Sequence, residues 1–200
     1  MKPFWKKAED VEVYDARIFT LRRVRYDRGG SPGRGPAEQG YFYFSSCDWV
    51  NIVPITPDRR VILIRQFRVG VNDFVVETPG GMVDPSDASP LEAARRELRE
   101  ETGYGSDDIV PIGRAHPNPA TQDNAVWFFA ARDVRRLGGQ NLDPGEDIEI
   151  EIVDLADIDG MIETGRITHS LVLNAFDFLR RSGVASPLST IETMKPKSYK

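Results

Sequence analysis

Between Gly80 and Tyr104 the chain reads GGMVDPSDASPLEAARRELREETGY. Ser89 stands directly before Pro90 and three residues before Glu92, the pattern of a capping box with proline at the first helical position. Gly103 supplies the left-handed residue that commonly ends a helix. Together these signals predict a helix over about residues 90–102. At roughly 100° per residue, Glu97, Glu100 and Glu101 fall within an arc of about 100°, beside an apolar stripe of Leu91, Ala94 and Leu98. Glu92, Arg95 and Arg99 fall on the far side, where solvent is expected, and Arg96 flanks the acidic group.

Three carboxylates along one edge of a buried face repel by a few tenths of a kcal/mol per exposed pair, and by more where partly buried. A divalent cation reverses that cost. Carboxylates with open positions suit Mg²⁺, which keeps several waters and takes substrate phosphates rather than an all-protein cage. Phosphate chemistry is therefore implied. The plain alternative is a solvated acidic helix edge, against which the ETPGG loop ahead of the helix and the two caps both argue.

Outward from this helix, the 200-residue chain with 40% hydrophobic residues is long enough for one compact catalytic unit with an appendage. Its 26 basic and 31 acidic residues leave a net charge of -5. That is unlike the basic footprint of a nucleic-acid binder, so no nucleic-acid partner is expected. The arginine groups Arg22-Arg23, Arg25 and Arg180-Arg181 read as solvated faces. The lone Cys47 cannot form an internal disulfide, and one cysteine with two histidines cannot build a structural zinc site, which fits a reducing cytoplasm. No stretch approaches the roughly 20 apolar residues of a membrane helix, and no signal-peptide run follows the basic start.

DVEVYDARIFTLRRVRY, residues 10–26, alternates apolar and polar positions as one or two strands do. The Gly/Pro-rich stretch from Asp27 to Gly40 reads as a loop, with a returning strand at Tyr41–Phe44. Residues 1–47 thus form an N-terminal β region, a candidate dimerisation element. From Trp49 onward WVNIVPIT, VILIRQFRVG and FVVETPGG read as successive β-branched strands. After the carboxylate helix come strands near VWFFAARDV and IEIEIVDL, then helices around LADIDGMIETG and THSLVLNAFDFLRR. The catalytic domain spans residues 48–182 and a tail lacking periodicity spans 183–200.

The segment Arg96-Glu97-Leu98-Arg99-Glu100-Glu101-Thr102-Gly103-Tyr104 resembles the second half of the Nudix hydrolase box, R-E-U-x-E-E-x-G-U with U apolar, at every specified position. The resemblance implies a Nudix α/β/α sandwich with a mixed central sheet. It also implies that Glu97, Glu100 and Glu101 hold divalent metal, Mg²⁺ with Mn²⁺ as the alternative, and that Arg96 orients them. The first half departs from the box. Counted from Gly81, its early glutamate falls on Asp87; counted back from Arg96, it falls on Ala88. Asp87 is either an orienting carboxylate or a simple turn residue.

Over roughly Trp49 to Arg180 the chain looks like the ADP-ribose pyrophosphatase and nucleoside diphosphate sugar hydrolase branch. By that likeness LIRQFR places Arg68 against substrate phosphate, Glu77 helps shape the site, and the Gly80 carbonyl completes a metal shell. NLDPGEDIEIEI resembles a later catalytic loop in which Glu146 binds metal or activates water, with Glu149 as the alternative. Pro119 stands where the ADP-ribose branch carries a proline, within a differing sequence, so other nucleoside diphosphate sugars stay open. The branch implies a homodimer with N-terminal strands at the interface. A non-catalytic nucleotide sensor, and a hydrolase of dinucleoside polyphosphates or capped RNA, are the competing readings. His169 reads as a cap or packing residue, Trp49, Phe74 and Trp127 as sheet residues, and Cys47 and His116 belong to no comparable constellation.

Overall fold

The computed structural model describes residues 5–27 and 40–185. The body of the expected loop between Asp27 and Gly40, and the tail from residue 186, lie outside the described residues. The chain divides into two compact units, one of residues 1–48 with Ala115–Val126 and one of Trp49–Arg114 with Trp127–Lys200.

The first unit carries an antiparallel sheet of β1 (Lys6–Asp15), β2 (Thr20–Asp27) and β3 (Tyr41–Ser45) in that order. The β1–β2 turn places Arg17 at φ 70, with Asp15 Oδ1 accepting from the Arg17 amide. Asp10 is the electrostatic centre of the sheet. It accepts from Lys7 Nζ at 2.6 Å, from Arg22 Nε at 2.9 Å and from the Tyr43 hydroxyl at 2.9 Å, so all three strands meet on one carboxylate. The Lys7 bond, with Arg22 and Tyr43 assisting, holds its pKa down at about 2. A depressed carboxylate stabilises the fold above its ordinary pKa of about 4, and that stability is lost as pH falls through the folded value. Thermal melts of the wild type should therefore lose stability between about pH 4 and pH 2. Asp10→Asn should be less stable at pH 7 and should lack this component of the acid loss; equal melts at pH 7 would refute it.

The second unit is a sandwich. One sheet has the order β12 (Ile148–Asp154), β5 (Arg60–Arg68), β6 (Asp73–Glu77), all antiparallel. Another has the order β7 (Gly80–Met82), β4 (Trp49–Pro54), β10 (Val126–Arg132), β9 (Asp108–Ala115). A two-stranded ribbon joins β8 (Tyr104–Gly105) to β11 (Arg135–Arg136). Val50–Pro54 and Val61–Ile64 are buried without alternation, as strands covered on both faces require.

Among the described residues three helices complete the unit: α1 (Pro90–Thr102), α2 (Ile158–Glu163), which follows a short 3-10 turn, and α3 (Ser170–Ser182). Helix α1 buries Ala93, Ala94 and Leu98 against Val50, Ile52, Ile62, Phe129 and Ala131. Successive side chains of β10 point to opposite faces. Phe129 joins the α1 core, while Phe128 stacks on Phe178 of α3 with ring centroids 5.2 Å apart. The mixed α/β sandwich expected from the sequence is thus present.

Strand β9 is not legible in the sequence, because Pro111 and Gly113 interrupt its pattern. Both have a structural reason. The strand lies at a sheet edge, where proline is tolerated, and a Cβ on Gly113 would collide with the Phe178 ring. Among the described residues no helix is long and apolar enough to cross a membrane.

Candidate active site

Helix α1 begins where the sequence places it. Ser89 is the N-cap, its hydroxyl accepting from the Glu92 amide at 3.3 Å, and Gly103 ends the helix at φ 74 with its amide donating to the Arg99 carbonyl. Only half of the capping box forms. The Glu92 carboxylate faces Arg95 at 3.6 Å instead of returning to the Ser89 amide.

The buried C-terminal end of this helix is tied to the chain that carries Glu146. Terminal carbonyls of a helix have no partner within it. The amides of Leu137 and Gly138 donate to the Gly103 carbonyl, that of Asn141 donates to the Glu100 carbonyl, and Gln140 Nε2 donates to the Glu101 carbonyl at 2.7 Å. Gln140 also ties to the Ile148 carbonyl at 3.1 Å, closing the loop between α1 and β12. Glu146 sits within that loop, accepting from the Asp143 amide at 2.9 Å. Sequence reading passed over Gln140; a lone glutamine in a loop carries no motif.

The acidic edge is unevenly neutralised. Arg96 Nη1 donates to Glu97 Oε1 at 2.9 Å and to Glu100 Oε2 at 3.0 Å. Its Nε and Nη2 grip Asp87 at 3.2 and 3.0 Å, and Nη2 also reaches the Met82 carbonyl at 3.1 Å. Asp87, its side chain 8% exposed, therefore holds the arginine that joins two of the helix carboxylates. Of the two positions left open by counting residues, only Asp87 carries a carboxylate, and it makes this contact.

Glu101 lies outside Arg96's reach. It is 2% exposed, and among the described residues its carboxylate accepts one hydrogen bond, from the Gly80 amide at 2.8 Å. Burial pushes its carboxyl up to about 9; the Gly80 bond opposes this, while the negative charges of Glu97 and Glu146 add to it. Burial also raises Glu97, against the pull of Arg96, with Glu100 and Glu146 again adding. Glu97 packs so closely on the β7 backbone that a Cβ at Gly81 would land against its carboxylate. A side chain there would push the carboxylate off the helix edge.

Arg68 and Glu77 form the second part of the site. Nε and Nη2 of Arg68 meet the two oxygens of the buried Glu77 at 2.6 and 2.8 Å, a fork-to-fork pair. This leaves Nη1 as the nitrogen of Arg68 free of that pairing. The charges of Glu101 and Glu146 also act on Arg68, so the pair borders the carboxylate cluster. Glu149, the alternative to Glu146, is turned elsewhere: it is an exposed partner of Arg65 at 3.0 Å.

The other residues raised by the sequence fall outside this cluster. Phe74 lies under Arg65, whose guanidinium carbon is 4.4 Å from the ring centroid. Arg114 sits over Trp127 at 5.1 Å. His116 Nδ1 is 3.2 Å from the Asn124 carbonyl, and Cys47 is an exposed free thiol. Arg22, Arg25, Arg180 and Arg181 each pair with an acid, at Asp10, Glu9, Asp159 and Asp177, as solvated faces do.

Do these residues fit a divalent ion? Among the described residues no three His, Cys, Asp or Glu side chains are grouped so that they could hold a metal ion by themselves. Mg²⁺ does not need such a group, since it keeps waters and takes substrate oxygens. The carboxyl that Arg96 does not reach is both the most buried and the most raised, and it adjoins two further negative charges. That is a charge imbalance of the kind a hard cation would correct.

The sandwich and its carboxylate helix define a hydrolase of the α/β class. Residues 46–176 match the NUDIX domain, and the chain belongs to that family as a pyrophosphohydrolase. It is 28% identical over 132 residues to the ADP-ribose pyrophosphatase of Bacillus subtilis (strain 168), covering 66% of this chain and 71% of that one. It is 27% identical over 181 residues to the GDP-mannose pyrophosphatase of Enterobacter sp. (strain 638), covering 86% of this chain and 94% of the relative. A crystal structure of an ADP compounds hydrolase superposes with a TM-score of 0.72 at 23% identity, over 90% of this chain and 94% of that one, a likeness of fold.

Proposed function

We propose that this chain hydrolyses the diphosphate bond of a nucleoside diphosphate sugar, with ADP-ribose as the first substrate and AMP and ribose 5-phosphate as products. The observation that carries the reading is Glu101: a carboxyl buried to 2% exposure and raised to about 9, beside Glu97 and Glu146, is a poor arrangement unless a cation joins it. The similarity to a GDP-mannose pyrophosphatase over 86% of the chain keeps GDP-mannose as the second substrate to test.

Glu97, Glu100, Glu101 and Glu146 would hold Mg²⁺ or Mn²⁺, with the Gly80 carbonyl as a further oxygen. A bound divalent ion neutralises charge on the diphosphate and on the leaving phosphate. Arg96, gripped by Asp87, keeps Glu97 and Glu100 aligned. Nη1 of Arg68 contacts a phosphate oxygen, and Glu77 fixes the direction of that guanidinium. Glu146, on its tethered loop, takes the proton as water attacks one phosphorus. A new P–O bond forms from the water oxygen, the bridging P–O bond breaks, and its electron pair leaves with the departing phosphate.

The exposed Trp5, Val13, Tyr14, Ile18 and Phe42 of the first unit support a homodimer joined through the N-terminal sheet, a state that light scattering would test. The lone, exposed Cys47 suits a reducing cytoplasm. The activity itself is tested by incubating the full chain with ADP-ribose, GDP-mannose, UDP-glucose and FAD, with Mg²⁺, Mn²⁺ or EDTA, and measuring the phosphorylated products. Hydrolysis of at least one nucleotide sugar, abolished by EDTA, is expected. Tight ADP-ribose binding with no product under any metal would overturn it.

A further inference from the structure

Residues 50–54 of β4 are buried throughout, and Asn51 is the one polar side chain among them. Val50 and Ile52 lie in the α1 core, so Asn51 projects from the opposite face of the strand. Its Nδ2 donates to the hydroxyl of the buried Thr78 at 3.3 Å. A buried amide costs stability unless it is bonded, and an apolar pair of the same shape in place of both partners is nearly neutral or stabilising. One long hydrogen bond is thus a weak return, in stability alone, for a buried amide in the middle of an apolar strand.

What the bond holds is the turn that joins the two parts of the site. Glu77, ahead of the turn, takes the fork of Arg68, and Gly80, at its end, donates its amide to Glu101 at 2.8 Å. Between them Pro79 has no N–H with which to tie the turn to a neighbouring strand. The Pro79 carbonyl accepts from the Ile52 amide at 2.9 Å, and Gly80 pairs with Asn51 in the β4–β7 register. The approach is close: a Cβ on Gly80 would stand 2.1 Å from the Val50 carbonyl oxygen and 3.0 Å from both Cα and Nδ2 of Asn51. Asn51 therefore meets the turn on both sides of Pro79, bonding to Thr78 before it and packing on Gly80 after it. Bracing Thr78 from behind keeps the Gly80 amide turned to Glu101.

We propose that Asn51 is a positioning residue: its Nδ2–Thr78 bond fixes residues 78–80 so that the Gly80 amide holds the Glu101 carboxylate in its working orientation. The effect on rate rests on the proposed hydrolysis of a nucleoside diphosphate sugar; the effect on Gly80 does not.

The test compares the full chain with Asn51→Leu, Thr78→Val, Thr78→Ser and the double variant Asn51→Leu/Thr78→Val, each checked by Tm. Val53→Ala, on the same face of the same strand, is the control for lost packing. Amide hydrogen exchange of Gly80 relative to the amides of β5, followed by NMR in EDTA, reads the turn directly. Turnover of the hydrolysed nucleotide sugar, at saturating substrate with Mg²⁺ near its wild-type half-activating concentration, reads the consequence. Asn51→Leu and Thr78→Val are each expected to speed Gly80 exchange and to cut turnover about tenfold, the low end for residues that orient metal-binding groups without touching the ion. The double variant breaks the same bond, so it should be no slower than either single variant and no less stable. Thr78→Ser keeps the hydroxyl and should keep both wild-type values, while Val53→Ala should lower Tm and leave both unchanged. Wild-type turnover in Asn51→Leu, whatever its Tm, or losses that add in the double variant, would overturn the proposal. Should Asn51→Leu not fold, the contrast of Thr78→Val with Thr78→Ser decides it. A wild type that hydrolyses no nucleotide sugar would overturn the proposed function instead, and Gly80 exchange would still judge Asn51.

Discussion

Glu101→Gln should lower turnover of ADP-ribose by on the order of 10²-fold or more, the scale set by removing one preorganised electrostatic group from a site. The same substitution should make the metal-free protein more stable. Glu101 is raised to about 9 by burial. Between the ordinary glutamate value of about 4.3 and that folded value, the folded chain holds a proton that the unfolded chain releases. Wild-type stability in EDTA therefore falls as pH rises through this window, and neutral glutamine escapes the loss. Melts at pH 8 in EDTA should place the variant above the wild type, while added Mg²⁺ should favour the wild type. Wild-type turnover at saturating Mg²⁺ would remove Glu101 from the site. The opposite movement of stability and activity is the signature of a buried carboxyl retained for function.

Asp87→Asn should weaken activation by Mg²⁺ by roughly 10- to 100-fold, the range for residues that orient metal-binding side chains without touching the ion. Asparagine preserves the shape but presents one oxygen and an N–H donor to a guanidinium that now receives two carboxylate oxygens, at 3.2 and 3.0 Å. Arg96 is thereby loosened, and Glu97 and Glu100 lose the charge that aligns them. The measurement is the Mg²⁺ concentration for half-maximal rate, paired with calorimetric titration of Mg²⁺ alone. A wild-type value in both would make Asp87 a turn residue. The loop geometry favours the orienting role: the Asp84 amide donates to the same Asp87 carboxylate at 2.9 Å, and the Asp87 amide returns to the Asp84 carbonyl. The turn sets the side chain, and the side chain sets the arginine.

Helix α1 was legible in detail because its determinants are local. Ser89, Pro90 and Gly103 act within one turn of their own positions, and the spacing of Glu97, Glu100 and Glu101 fixes their shared edge. The β-branched runs of β4 and β5 were legible for a related reason, since strands covered on both faces must be apolar throughout. Strand β9 was hidden because its two disruptive residues answer to features remote in sequence, the sheet edge and the Phe178 ring. Glu92 shows the limit of a local motif: its carboxylate pairs with Arg95, at similar sequence distance from the capping partner it forgoes.

From the order of residues alone come the carboxylate helix, its ends, the mixed α/β order and the chemistry that crowded carboxylates imply, because these depend on periodicity and on neighbours three or four positions apart. Which carboxyl lacks a counter-charge, which aspartate grips Arg96 and where Glu146 is carried were decided by tertiary structure. Each depends on burial and on contacts between segments distant along the chain, and desolvation is a property of the assembled surroundings, not of a residue and its spacing.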